Sequence, residues 1–138
     1  MIDTTRYQGT AHALLRIVTA LLFIEHGTSK LFNFPSFPMD LPPTGSLMWI
    51  GAVLELVGGL LVLIGLFTRP VAFLLSGEMA VAYWMMHAPK STFPANNGGD
   101  AAILFCFIFL FLAAAGAGPW SVDGSRRKVT VYEGGPAS

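Results

Sequence analysis

The stretch Gly51-Ala52-Val53-Leu54-Glu55-Leu56-Val57-Gly58-Gly59 decides how this chain is read. It lies inside residues 46–67, an apolar run whose one ionisable residue is Glu55. A hydrocarbon core about 30 Å thick is crossed by roughly 20 mostly apolar residues in a helix. Backbone groups in lipid must be satisfied within the segment, so a run of this kind is a helix. On that helix Gly51, Glu55, Gly58 and Gly59 follow i, i+4, i+7, i+8 spacing and share one stripe. Glycine lets helices approach closely in membranes. Gly58 and Gly59 are therefore expected at a helix contact, and Glu55 on the packed side, away from lipid.

Three further stretches have the same character. Together the spans fall at about residues 11–32, 46–67, 70–88 and 100–117, flanked by polar ends. The composition agrees: 54% of residues are hydrophobic and only 12% charged, against about 25% charged in a soluble domain. Eight basic and eight acidic residues cancel, which argues against nucleic acid as a partner and points to the lipid bilayer instead. The expected domain is one unit over residues 1–123, followed by a short polar tail over 124–138. The run from Leu14 to Ile24 resembles a signal-peptide core, but Glu25-His26-Gly27-Thr28-Ser29-Lys30 follows where a small-residue cleavage site would stand, so the segment reads as a retained helix.

The connections and charges orient these spans. Residues 33–45 are proline-rich, Thr68-Arg69-Pro70 reads as a tight turn with Thr68 or Arg69 near a helix N-cap, and Asn97 or Asp100 is placed to cap the last helix. Arg6, Arg69, Arg126, Arg127 and Lys128, with Arg16 snorkelling, fall on one side; Lys30 and Lys90 fall on the other. Both termini are thus expected to be cytoplasmic. Val129-Thr130-Val131-Tyr132 alternates like a strand, without a partner strand. The fold class expected is all-α: a four-helix transmembrane bundle, up-down-up-down.

The informative residues are the ionisable ones inside the spans. A charge at the bilayer centre costs about 2.5–3.5 kcal/mol on insertion scales, so such groups face the protein interior and usually have a task. Glu25, Glu55 and Glu78 are the intramembrane acids, and His26 and Lys30 share one side of the first helix at i, i+4. These five are the candidate binding residues, with Glu55 and the first-helix polar groups expected to enclose one cavity opening outward. Each also has a plainer reading: a carboxyl bonded to a neighbouring helix, a hydrogen-bonded interior histidine, or a lysine reaching to the rim. No metal site is expected, because no second histidine follows at i+4. His26 and His87 differ in depth, which disfavours haem ligation. Cys106, the single cysteine, allows no disulfide within the chain and is expected to be buried and inert. Phe105, Phe107, Phe109 and Phe111 alternate, so on a helix they spread to all sides.

These segments also resemble a known family. Arg16 with His26-Gly27-Thr28-Ser29-Lys30-Leu31, the stretch Gly51 to Gly59, Gly65-Leu66-Phe67-Thr68-Arg69-Pro70, Asn97-Gly98-Gly99-Asp100 and Gly118-Pro119-Trp120-Ser121-Val122-Asp123 are similar, in order, to signatures of the DoxX family. Asp100 stands where that family usually has Glu. The resemblance implies a small four-helix integral membrane protein, of a bacterial plasma membrane, related to subunits of thiosulfate:quinone or terminal quinol oxidoreductases and to oxidative-stress complexes. On that basis the expected function is a membrane subunit of a quinone-linked redox complex, with a quinone or small redox substrate in a polar intramembrane site. No haem, iron–sulfur or flavin motif is evident, so electrons would come from partner redox proteins or a soluble donor; a homo-oligomer or partner redox proteins are the expected partners in the membrane. The competing readings are a membrane scaffold for partner enzymes and a small proton-coupled transporter.

Overall fold

The computed structural model describes residues 2–126. Arg127 and Lys128, expected to fix orientation, and the strand-like run at 129–132 lie outside the described residues. Among those residues every regular element is helical.

Helix α1, Gln8–Phe32, follows a short 3-10 turn at Thr5–Tyr7 and ends where Asn33 turns left-handed with φ 55°. Helix α2, Leu47–Ile64, begins at Ser46, whose hydroxyl accepts from the Trp49 N–H at 3.3 Å. It stops at Gly65, whose φ of 68° suits a residue without Cβ. Helix α3, Thr68–Ala82, continues through a π turn at Tyr83–His87 and a 3-10 turn at Ala88–Lys90. A single turn α4, Pro94–Asn97, precedes α5, Asp100–Ala115.

Among the described residues, three helical stretches are long and apolar enough to cross a membrane: Thr5–Phe32, Leu47–Ile64 and Thr68–Lys90. The fourth expected span differs. Helix α5 is equally apolar but ends at Ala115, two residues short of the expectation, because Gly116 leaves the helical region with φ 82°. At 1.5 Å per residue its regular part is shorter than the hydrocarbon thickness. The third span begins earlier than expected, at Thr68 rather than Pro70; Phe67, not Thr68 or Arg69, occupies the N-cap position.

The helices pack chiefly as α1 on α2 and α3 on α5, with α2 also touching α3 and α1 touching α5. Their shared core holds Ala20, Phe23, Val62, Ala72, Leu75, Met79, Phe105, Phe109 and Leu112. Phe23 meets the edges or faces of Phe105 and Phe109 at centroid distances of 5.3 and 4.8 Å, a geometry aromatic pairs favour. The phenylalanines of α5 point both ways: Phe105 and Phe109 face inward, Phe107 and Phe111 outward.

Close approach of α1 and α2 depends on Gly27. A Cβ there would stand 2.9 Å from both Ala52 O and Leu56 N, which are backbone atoms and cannot swing away. On α2 the expected glycine stripe serves two neighbours. Gly59 receives Ile24 of α1, while Gly58 receives Leu75 of α3. Replacing Gly27 by Ala is predicted to destabilise the protein in detergent by about 1–3 kcal/mol, the usual effect of overpacking. Gly77, whose Cβ would meet nothing within 4 Å, is the control: Gly77→Ala is expected to be neutral or to stabilise by about 0.5–1 kcal/mol through helix propensity. Thermal unfolding of the two variants side by side checks the contrast.

Candidate functional site

The contact that Gly27 permits brings two ionisable side chains together. Lys30 lies one turn beyond Gly27 on α1, and Glu55 is one of the residues that a Cβ on Gly27 would touch. The Lys30 ammonium donates to both carboxylate oxygens of Glu55, at 2.7 Å to Oε1 and 3.0 Å to Oε2. Glu55 is buried, with a side chain only 4% exposed, and Lys30 is 22% exposed. Away from water an ion pair of this kind is held by geometry as much as by attraction, since removing either partner strands the other charge. The sequence expectation that Glu55 turns away from lipid agrees with this placement.

Glu78 of α3 is the third member. Its Oε1 lies 3.2 Å from where a Cβ on Gly51 would be, so the missing side chain at Gly51 makes room for the carboxylate. Glu78 is within electrostatic reach of both Glu55 and Lys30. Its Oε2 is buried and has no hydrogen-bond partner. The ammonium of Lys30 has three N–H groups, and two of them go to Glu55. One donor and one acceptor, on neighbouring side chains from two helices, therefore stand without a protein partner among the described residues.

Glu25 and His26 do not join this group. Both are exposed on α1, and His26 lies edge-on to Phe105 at 5.8 Å. For Glu25 the reason is angular, since it sits roughly half a turn away from Gly27, which turns toward α2; His26 shares a side with Lys30 but packs against Phe105 of α5. Nor do the two described cavities touch Lys30, Glu55 or Glu78. One of about 1310 Å³ lies at the opposite end, between residues 67–70 and 115–125, and one of about 600 Å³ lies along the 39–48 connection.

That opposite end holds residues the sequence reading placed differently. Arg16, expected to snorkel outward, is completely buried. Its guanidinium donates to the carbonyls of Ala117, Pro119 (3.0 Å) and Trp120 (2.6 Å), groups left free where α5 has ended. His12 contacts Gly116 O through Nε2 at 2.8 Å, and Arg69, on the exposed side, donates to Ala114 O. Asp123 accepts from the N–H groups of Thr68 at 2.9 Å and Phe67 at 3.2 Å, capping α3 from the far end of the chain. Burial disfavours the charged form of Asp123, but the donated bonds from Thr68 and Phe67 outweigh it and hold the carboxyl below its ordinary range. The only sequence signal for Arg16 and Asp123 was their place in the first and last matched motifs.

A third cluster supports the end of α3. Buried Asn97 donates to Tyr83 Oη at 3.2 Å and Ser91 O at 3.1 Å, and its Oδ1 accepts from the Gly99 N–H at 2.8 Å. Asn97 thus braces the start of α5 from one turn away, with Gly99 in the cap position and Asp100 already inside the helix. His87 Nδ1 lies 3.1 Å from Asn97 O. Cys106 is only partly buried, near the Ser76 hydroxyl at 3.5 Å. Among the described residues no group of His, Cys, Asp and Glu side chains is arranged to hold a metal ion.

Comparison with known proteins adds the family. Residues 11–88 match the DoxX family model. A protein of Haemophilus influenzae, described only as uncharacterized, is 41% identical over 128 residues, covering 89% of this chain and 96% of the relative. No solved structure matches the chain.

Two outcomes follow from this geometry. Glu55→Leu alone, which strands the Lys30 charge, is expected to lower stability by about 3–5 kcal/mol, whereas Lys30→Met combined with Glu55→Leu recovers most of the loss; a double-mutant cycle by thermal unfolding reads this directly. Asp123→Ala is expected to cost about 1 kcal/mol at pH 7, as loss of a helix cap does. Because the folded carboxyl is held below its unfolded value near 3.9, that contribution is present at neutral pH and disappears as the medium is acidified through the folded value. Unfolding of wild type and variant compared from pH 7 down to pH 3 checks the convergence.

Proposed function

This chain belongs to the DoxX family, and we propose that it is an integral membrane subunit of a quinone-linked redox complex in which Lys30, Glu55 and Glu78 form the quinone-head-group site. The observation that carries the reading is the unpartnered pair beside the buried ion pair: one Lys30 N–H and Glu78 Oε2. A site for a quinone head needs an apolar setting with a few fixed polar groups. The Lys30 N–H suits a carbonyl oxygen, and Glu78 Oε2 suits a hydroxyl.

When bound, a quinone supplies two-electron, two-proton exchange. The chain's own part is to orient and to hold protons. Glu55 keeps Lys30 aimed, because both of its oxygens accept from the ammonium. Glu78, whose buried Oε2 has no partner among the described residues, is the group that holds or releases a proton at the site. Partner redox proteins supply the electrons.

The setting proposed is a four-helix transmembrane bundle, up-down-up-down, in a bacterial plasma membrane, with both termini cytoplasmic. Several bonds support it: the start of α1, the end of α2, the start of α3 and the end of α5 are tied together through Arg16, His12, Asp123 and Gly65. The excess of basic residues at that end supports a cytoplasmic placement. In this reading α5 crosses with the help of its flanking turns.

Binding of a short-chain ubiquinone or menaquinone to protein in lipid nanodiscs tests the site. Saturable binding is expected to raise stability by about 2.7 kcal/mol at one hundred times Kd, and Glu78→Gln and Lys30→Met are each expected to weaken it. Absence of saturable binding to the wild type, or binding indifferent to both substitutions, rejects the reading and leaves a scaffold or a carrier. Proton flux in liposomes that Glu55→Gln abolishes marks the carrier.

A further inference from the structure

The outer face of α1 leaves a polar problem unsolved. Leu15, Val18, Leu22 and Glu25 succeed one another at spacings of three, four and three residues. Alternating threes and fours are the repeat of a left-handed helix–helix seam. The row is uncovered: Leu15 is 39%, Val18 51% and Leu22 47% exposed, and Glu25 is exposed as well. Glu25 contributes only its backbone carbonyl to the protein, accepting from the Thr28 hydroxyl at 3.2 Å. Its carboxylate has no partner among the described residues. His26, the next residue, is also exposed and offers a ring whose contact is the edge of Phe105 rather than a polar group.

Both side chains lie within a helix long and apolar enough to cross a membrane. A lone acid there is unfavourable unless something bonds it. The chemistry of the covering follows from the two residues themselves. Acid and imidazole stand one residue apart, about 1.5 Å along the axis, and so at nearly the same depth. Two copies inserted in the same direction around a twofold axis normal to the membrane would present equal depths to each other. In such a parallel seam, the residue after a core position flanks the same layer. Glu25 of one copy then meets His26 of the partner subunit, and the reciprocal pair forms by symmetry.

We propose that this face of α1 is a homodimer seam, packed through Leu15, Val18 and Leu22 and locked by two reciprocal Glu25–His26 bonds between the copies. Charge complementarity at matched depth selects a second copy of this chain over an unrelated helix, which would have to bring both a donor and an acceptor to the same level. The row Leu15, Val18 and Leu22 lies on the side of α1 away from Gly27 and its contact with α2, while His26 shares a side with Lys30, so the dimer forms without displacing α2.

Mass measurement of the full chain in lipid nanodiscs or mild detergent, joined to cysteine cross-linking, tests this. In a Cys106→Ala background, Leu22→Cys is expected to cross-link copies under mild oxidation, while Phe73→Cys on the outer face of α3, 68% exposed, is not. Glu25→Ala and His26→Ala are each expected to shift the monomer–dimer equilibrium toward monomer by about tenfold, the loss expected for two intramembrane hydrogen bonds. The swap Glu25→His with His26→Glu restores most of the dimer, because the reciprocal pair survives exchange. A wild type that is monomeric in lipid overturns the proposal. So does cross-linking through Phe73→Cys rather than Leu22→Cys, or a swap no better than the single variants.

Discussion

The bidentate contact between Lys30 and Glu55 joins α1 to α2 within the apolar body of the protein. A carboxylate among apolar helices is tolerated only when another group meets it, and here an ammonium meets both of its oxygens. The contact rests on the backbone as much as on charge. Gly27 lets α1 lie against Ala52 and Leu56 of α2, and Gly59 accepts Ile24 about one turn away. Once the helices are that close, Lys30 can reach Glu55, and Gly51 leaves the space that Glu78 enters from α3. Close helix packing, ion pair and unpartnered carboxylate oxygen are thus one construction.

The opposite end follows a different rule, that backbone groups away from water must find partners. Helix α5 stops at Gly116, and the turns that follow present bare carbonyls. The buried guanidinium of Arg16 collects three of them, and His12 and Arg69 take others nearby. Arg16 is charged, yet its task is to close a backbone ledger of hydrogen bonds rather than to pair with an acid. Asp123 does the converse, accepting from the free N–H groups at the start of α3. Residues more than fifty positions apart in sequence therefore fix where two helices begin and end.

Much of this was legible in the sequence. Hydropathy alone located four apolar spans, three of which are membrane-length helices among the described residues, and period 3.6 placed Glu55, Gly58 and Gly59 on packed faces. Helical periodicity orders residues around their own axis, but it carries no information about which neighbour each face meets. For that reason Lys30 read equally well as a lysine at the rim, and Glu25 as a member of the buried group. Arg16 was misplaced because snorkelling is the ordinary fate of an arginine near a span end; nothing local announces carbonyls from beyond residue 116. The early start of α3 escaped notice because its cap, Asp123, comes from the other end of the chain. The unpartnered Glu78 oxygen is a property of three helices at once and has no local signature.

Lys30 and Glu55 are in direct contact within the apolar body of the protein. Solid-state NMR in bilayers, with 15N at Lys30 Nζ and 13C at the Glu55 carboxyl, measures that contact without altering a residue. Strong dipolar coupling, consistent with the 2.7 Å N–O separation, is expected. Absence of coupling in a protein that is folded in the bilayer would contradict it.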